Sequence, residues 1–170
     1  MVEEGSTHPR GEALLEELLW VHGIIRDNLQ TIRALVTRIT GGAPAEEVRA
    51  QIDDLAANSV VWRLRIDCMR YCHLVHSHHH LEDVAFFPAI CRANPAIQAV
   101  IDKLQADHVV VSDYLDAVEA AAARIMKEES ARPELANALS DLADHLITHL
   151  DYEEASLAPT LRRLKELQLG

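Results

Sequence analysis

Five of the ten histidines fall within eight residues, at His73, His76, His78, His79 and His80, and Glu82 and Asp83 follow directly. On a helix, His78 and Glu82 are one turn apart and share a face. At about 100° per residue, Cys68, Cys72, Val75, Phe86 and Ile90 form one broad apolar stripe, with His78, His79 and Glu82 among them. His73 and His80 point away from it. Imidazole and carboxylate thus lie on the face that a helix must bury. Burying such groups without partners costs several kcal/mol. A metal ion is the strongest candidate partner for this mixture of nitrogen and oxygen donors.

The spacing recurs. His78-x3-Glu82-Asp83-x4-Pro88 matches His149-x3-Glu153-Glu154-x4-Pro159 at every interval. Each copy follows a helical pattern that carries one histidine on its apolar side, His22 or His108. The two halves predict a pseudo-twofold pair of sites, each drawing on imidazoles and a carboxylate. Glu82 and Glu153 suit the bridging of two ions. His22, His78, Glu82, His108, His149 and Glu153 are therefore the candidate ligands. A lone histidine on an apolar face is more often a hydrogen-bonded core residue, so His22 and His108 rest on convergence with the others. His79 also faces inward, but Leu150 stands at its place in the second copy. His145 lies one turn before His149, and Tyr152 lies near the same face. These three are weaker candidates, as ligands or as hydrogen-bond donors to ligands. His8, His73, His76 and His80 read as solvated or peripheral. Asp83 and Glu154 read as edge charges or as partners for ligand imidazoles.

Four helical stretches must position these groups. Leu14, Leu15, Leu18, Leu19, His22, Ile25, Leu29, Ile32, Leu35, Val36 and Ile39 recur at spacings of three and four up to Gly41-Gly42. Pro44, Glu46 and Glu47 open a second pattern that runs to about Arg92. Its length predicts a bend or break, placed near Asn58-Ser59. Asn94-Pro95 reads as a cap and first helical residue of a third helix reaching Glu129. Ser130 to Pro133 is a break, and a fourth helix runs from Glu134 to Leu164, kinked or interrupted at Pro159. Strand alternation is absent. The expected fold is all-α, an up-down-up-down four-helix bundle. At 1.5 Å per residue, His22, His78, His108 and His149 all fall about 10–20 Å from one end of it.

At 170 residues, the chain is long enough to bury a real core and reads as one domain, with residues 1–10 frayed. A net charge of −11 argues against a nucleic-acid or anionic-membrane surface. No apolar run approaches the roughly 20 residues of a membrane span, and no secretory pattern opens the chain. Cytoplasmic placement is the expectation. Cys68, Cys72 and Cys91 read as free thiols, with a thiolate site at Cys68, Cys72 and His76 as the weaker alternative.

The order H…HxxxE…H…HxxxE, carried by His22, His78/Glu82, His108 and His149/Glu153, resembles the hemerythrin-like proteins, also called HHE cation-binding domains. The EDVAFFP and EEASLAP segments are similar to the acid-acid-x-x-x-x-Pro tails of that family. The resemblance spans about Glu12 to Leu164. It implies a non-haem di-iron centre, two iron ions bridged by oxide or hydroxide, inside a four-helix bundle. It further implies a small diatomic or peroxide ligand. Two positions depart from the oxygen carriers of the family. The second histidine of HxxxH on the third helix is Ser112, and the fourth helix carries HxxxE in place of HxxxxD. Fewer imidazoles imply more open positions on iron, favouring reaction with peroxide, O2 or NO, a catalase-like activity included, over simple oxygen carriage. The rival readings are a non-enzymatic oxygen or iron sensor or storage bundle, and a zinc-binding or structural helical interaction module. Ferritin-like Glu-x-x-His and zincin HExxH motifs are absent.

Overall fold

A computed structural model describes the backbone of residues 6–40 and 50–169, and the side chains of 6–38 and 61–169. Every regular element among them is helical: α1 Pro9–Thr40, α2 Ala50–Leu81, α3 Phe87–Ala93, α4 Gln98–Arg124 and α5 Ala131–Leu161. A π-helical turn, Glu82–Phe86, joins α2 to α3, and a 3-10 turn, Pro95–Ile97, leads into α4. α1 packs on α2 and α5, and α4 packs on the same two helices. The result is a helical bundle. No described helix is long and apolar enough to cross a membrane.

The inward stripes follow the expected periodicity. On α1, Leu15, Leu18, His22, Ile25, Leu29, Ile32 and Val36 are buried, alternating steps of three and four. Leu19 falls off that stripe and is 42% exposed. On α4 the buried positions are Ile101, Leu104, His108, Val111, Leu115, Val118 and Ala122. Two apolar layers result. One is built on Ile25, Leu29, Val75, Val111, Leu115, Leu142 and Leu146. The other is built on Leu15, Leu18, Phe87, Ile90, Ile101, Leu104 and Leu157. His22 sits between Leu18 and Ile25 in sequence, His108 between Leu104 and Val111, and Glu153 between Leu150 and Leu157. A polar stratum is thereby clamped between two greasy ones.

The expected irregularity of the second helix lies elsewhere. α2 runs unbroken through Asn58-Ser59, and the disruption comes at Glu82–Phe86. There the Phe87 N–H bonds to the Glu82 carbonyl, five residues back. The extra residue in the turn shifts the register of everything after Glu82. Phe87 becomes fully buried, while Phe86, which a uniform 3.6 period places inward, is half-buried. π-turns of this kind concentrate at functional sites.

Other boundaries also move. Asn94 does not cap the turn after it; its side-chain amide donates to Thr160 Oγ1 at 3.0 Å, tying the α3–α4 connection to α5. α4 ends at Arg124, short of Glu129. Pro133 lies inside α5, in the first turn, where a missing N–H costs nothing. Pro159 lies inside α5 as well, which stops two residues later at Leu161. Gly41-Gly42 and Pro44 lie outside the described residues. At the start of α1, Gly11 meets the Leu161 carbonyl so closely that a methyl group there would collide with it. The His8 N–H adds a 2.7 Å bond to the Arg162 carbonyl. These contacts pin α1 to α5 and fix the height of His22 against Glu153.

Cys68, Cys72 and Cys91 are free. Burial pushes the Cys68 thiol up to about 12, and raises Cys72 further. Both stay protonated, and the Cys72 thiol lies 3.7 Å from the Leu115 carbonyl. A thiolate site at these positions finds no support.

Candidate metal centre

Four elements deliver seven side chains to the polar stratum. α1 gives His22, α2 with its π turn gives His78, His79 and Glu82, α4 gives His108, and α5 gives His149 and Glu153. All except the slightly more open His78 are buried, and His22 and Glu153 are wholly sealed.

They form two adjoining groups. His22, His78 and Glu82 offer ligand atoms within 4.8 Å of one another, and so do His79, His108 and His149. Glu82, His108 and Glu153 make a third such set, which overlaps both. In the first group His22 Nε2 lies 3.2 Å from His78 Nε2, and His78 Nε2 lies 3.0 Å from Glu82 Oε1. The other oxygen, Glu82 Oε2, lies 3.3 Å from His108 Nε2 in the second group. Glu153 Oε2 is equally divided, 3.6 Å from His22 Nε2 and 3.7 Å from His149 Nε2. The carboxylates are therefore shared between the groups rather than confined one to each half of the repeat.

His79 breaks the repeat. Its ring stacks on His108 with centroids 3.9 Å apart and planes 10° from parallel. Leu150, its counterpart, packs into the apolar core instead. α2 thus brings a further imidazole to the level of His108, on the helix whose HxxxH position is Ser112. Phe87, brought inward by the π turn, stacks against His108 as well, with ring centroids 5.4 Å apart.

The electrostatics show that this cluster lacks a partner. Among the described residues, ten buried side-chain atoms have no properly directed hydrogen bond. Eight of them are both oxygens of Glu82, both oxygens of Glu153, both nitrogens of His149, and Nε2 of His79 and His108. Native interiors rarely leave such atoms orphaned without a functional reason. Burial pushes the Glu82 carboxyl up, but the imidazoles of His108, His22 and His78 outweigh it and hold the group well below the usual range. Glu153 goes the other way: burial and the negative charge of Glu82 raise it well above that range. Burial, helped by His108, pushes His79 down to about 2 and His149 down to about 4. These two histidines are therefore neutral donors, as metal ligation requires. Two adjacent carboxylates resist joint ionisation until a cation lies between them, and a bound ion reverses that preference. The donor set fits cation binding.

A ring of outer acids orients the imidazoles. His22 Nδ1 lies 2.9 Å from Glu154 Oε1, and Arg26 holds that same oxygen at 2.6 Å. His108 Nδ1 lies 2.8 Å from Asp83 Oδ1. His149 Nδ1 lies 3.5 Å from Asp107 Oδ2, which Lys103 holds at 2.6 Å. Glu154 and Asp83 face the nitrogens of His22 and His108 that point away from the cluster, so they fix the tautomers and raise donor strength, while Asp107 stands near His149 Nδ1 without a directed hydrogen bond. Asp83 and Glu154 occupy the partner role open to them from the sequence. Asp107 escapes sequence reasoning, because its partner belongs to another helix and no spacing within α4 announces it.

Two of the weaker candidates lie elsewhere. His145 is on the surface; its ring nitrogens meet the Tyr114 hydroxyl at 3.2 Å and the Asp141 carbonyl at 3.0 Å. It sits at the edge of the α5 stripe, on the solvent side of Leu142, Leu146 and His149. Tyr152 is half-buried against the lower apolar layer, with the Lys103 ammonium over its ring at 4.1 Å. Neither joins the groups described above. His76 gathers with Asp116 and Glu119 between α2 and α4, apart from the buried centre.

Searches of curated proteins and of solved structures returned no match. The hemerythrin HHE cation binding domain matches residues 47–161, which carry His78, His79, Glu82, His108, His149 and Glu153. His22 precedes that span, so its place in the centre rests on geometry alone. With most of its length matched, and with histidines and glutamates gathered where cations would bind, the chain belongs to the hemerythrin HHE cation-binding family.

Proposed function

We propose that the chain holds two iron ions, one beside His22 and His78, the other beside His79, His108 and His149, with Glu82 and Glu153 serving both. The observation that carries this reading is the seven orphaned atoms that face the site, in groups that overlap at Glu82. The four long helices run alternately up and down in this reading, as one domain. Iron bound there supplies electron exchange with a small oxidant or gas, O2, peroxide or NO. Glu82 and Glu153 supply negative charge against the cations. The apolar layers on either side exclude bulk water. Asp107, between the Lys103 ammonium and His149 Nδ1, adds negative charge at the edge of the site.

The chain expressed in iron-replete medium is expected to carry about two irons per molecule and to absorb in the near-ultraviolet and visible range. Peroxide consumption by that material supports the catalase-like version. Reordering of helices on chelation, without peroxide consumption, supports a sensor. Zinc alone, or a colourless protein without metal, overturns the iron assignment, because zinc does not cycle between redox states.

The outer acids give a finer expectation. Glu154→Ala removes the carboxylate that orients His22 and leaves the seven inner groups untouched. Metal affinity at that group should fall about 10–100-fold, measured by competition with a chelator of known strength.

A further inference from the structure

Arg26 lies one turn after His22 on α1, so the two side chains share a face of that helix. Both reach a single atom of α5. Glu154 Oε1 lies 2.9 Å from His22 Nδ1 and 2.6 Å from Arg26 Nη1. The other arm of the guanidinium, Nη2, meets Asp151 Oδ1 at 2.7 Å. Asp151 and Glu154 are three residues apart on α5, and the planar fork places one arm on each. The chain of contacts runs from the rim inward: the Asp151 side chain is 65% exposed, Arg26 29%, Glu154 20% and His22 not at all. Asp83, which holds His108 in the same way, has no lysine or arginine partner among the described residues. The clamp is particular to His22.

We propose that Arg26 is a positioning residue for the centre: by pinning Glu154 on His22 Nδ1, it keeps the hydrogen on that nitrogen and leaves Nε2 as the donor toward the site. A glutamate side chain at a partly exposed position rotates about several bonds. Ordering it costs an entropy of the same size as the gain from one hydrogen bond. The charged, two-point grip of Arg26 removes that freedom. An imidazole with its hydrogen on Nδ1 carries its ligating lone pair on Nε2. His22 Nε2 faces inward, 3.2 Å from His78 Nε2 and 3.6 Å from Glu153 Oε2. Among the described residues α1 supplies no other member of the cluster, and the orientation of its one ring falls to this contact. The Nδ1 contact stands without an ion; only the use of Nε2 by a cation rests on the reading above.

The test uses the full chain, first without metal. Proton–nitrogen NMR of the isotope-labelled protein should show the His22 Nδ1–H as a signal in slow exchange with water, identified by its absence in His22→Gln. Arg26→Met keeps an apolar stem and removes the grip, so exchange should quicken about tenfold or more. Arg26→Lys keeps a cation within reach of Glu154 and should restore the signal in part. Asp151→Asn cuts only the outer arm and should leave it intact. Zinc, titrated against a chelator of known strength, gives the second readout. Affinity for one ion should fall about tenfold in Arg26→Met and hold in Asp151→Asn. A signal missing from the unaltered chain, or indifferent to Arg26→Met, overturns the proposal. So does equal loss in Arg26→Met and Asp151→Asn, because the arginine would then be only a tie between α1 and α5. Loss confined to Arg26→Met, in a chain that binds neither zinc nor iron, upholds the role of Arg26 and overturns the metal reading instead.

Discussion

Glu82→Ala is expected to purify with less than about a tenth of the metal that the unaltered chain carries. Among the described residues, no other side chain reaches both groups so closely: one oxygen is 3.0 Å from His78 Nε2 and the other 3.3 Å from His108 Nε2. On the two-ion reading its loss would take an ionised ligand from both ions together and leave Glu153 as the only inner carboxylate among the described residues. His79→Ala makes the contrast, because it touches the His108–His149 group alone and should leave about one ion in place. Glu82→Gln separates charge from shape: it keeps the volume and one acceptor oxygen but not the negative charge. Elemental analysis of the three purified variants reads the outcome. Thermal unfolding gives a second readout. Binding at a thousandfold excess over Kd stabilises a fold by about 4 kcal/mol, so the metal-dependent rise in Tm should vanish in Glu82→Ala. Retention of both ions by this variant would mean that the shared carboxylate is not a bridge, and the two-ion reading would fall with it.

How far the sequence alone reaches can be judged at particular residues. His22 and His108 are legible because each interrupts an apolar stripe at the level where HxxxE falls on a partner helix. His78/Glu82 and His149/Glu153 are legible because the interval repeats. His79 is underrated for the same reason: repetition is a test that penalises any group present in one half only, and Leu150 is its counterpart. The Phe86–Phe87 exchange cannot be read at all. A uniform 3.6-residue period cannot register the residue gained in a π turn, and that single residue decides which aromatic ring lies on His108. Asp107 and Lys103 escape because their role depends on how α4 lies against α5. Periodicity sees faces of single helices; it does not see what one helix hands to another.

Acid should destabilise the metal-free chain in a way that two histidines and one glutamate determine. His79 and His149 are pushed down to about 2 and about 4, against about 6.5 in an unfolded chain. From about pH 6.5 down to 4.5 the unfolded state therefore binds two protons that the native state refuses. Glu153 opposes them. Its carboxyl is raised by burial and by Glu82, so the native state keeps a proton there that the unfolded state takes up only near its ordinary value. Glu153 cancels at most one of those two protons, so the unfolded side keeps a net excess of one or more. Stability should then fall by at least about 1.4 kcal/mol for each pH unit lowered through the middle of that window. Below about 4.5 the slope should steepen, because Glu82, held low in the native state, is protonated first in the unfolded one. Urea unfolding midpoints of the chelated protein at several pH values measure the slope. His79→Leu, which installs the residue found in the second half of the repeat, removes one of the two histidine protons. The slope between about pH 6 and 5 should become shallower by about 1.4 kcal/mol per unit. A slope unchanged by His79→Leu would show that this imidazole is not held neutral by burial, and would remove it from the set of donors ready for a cation.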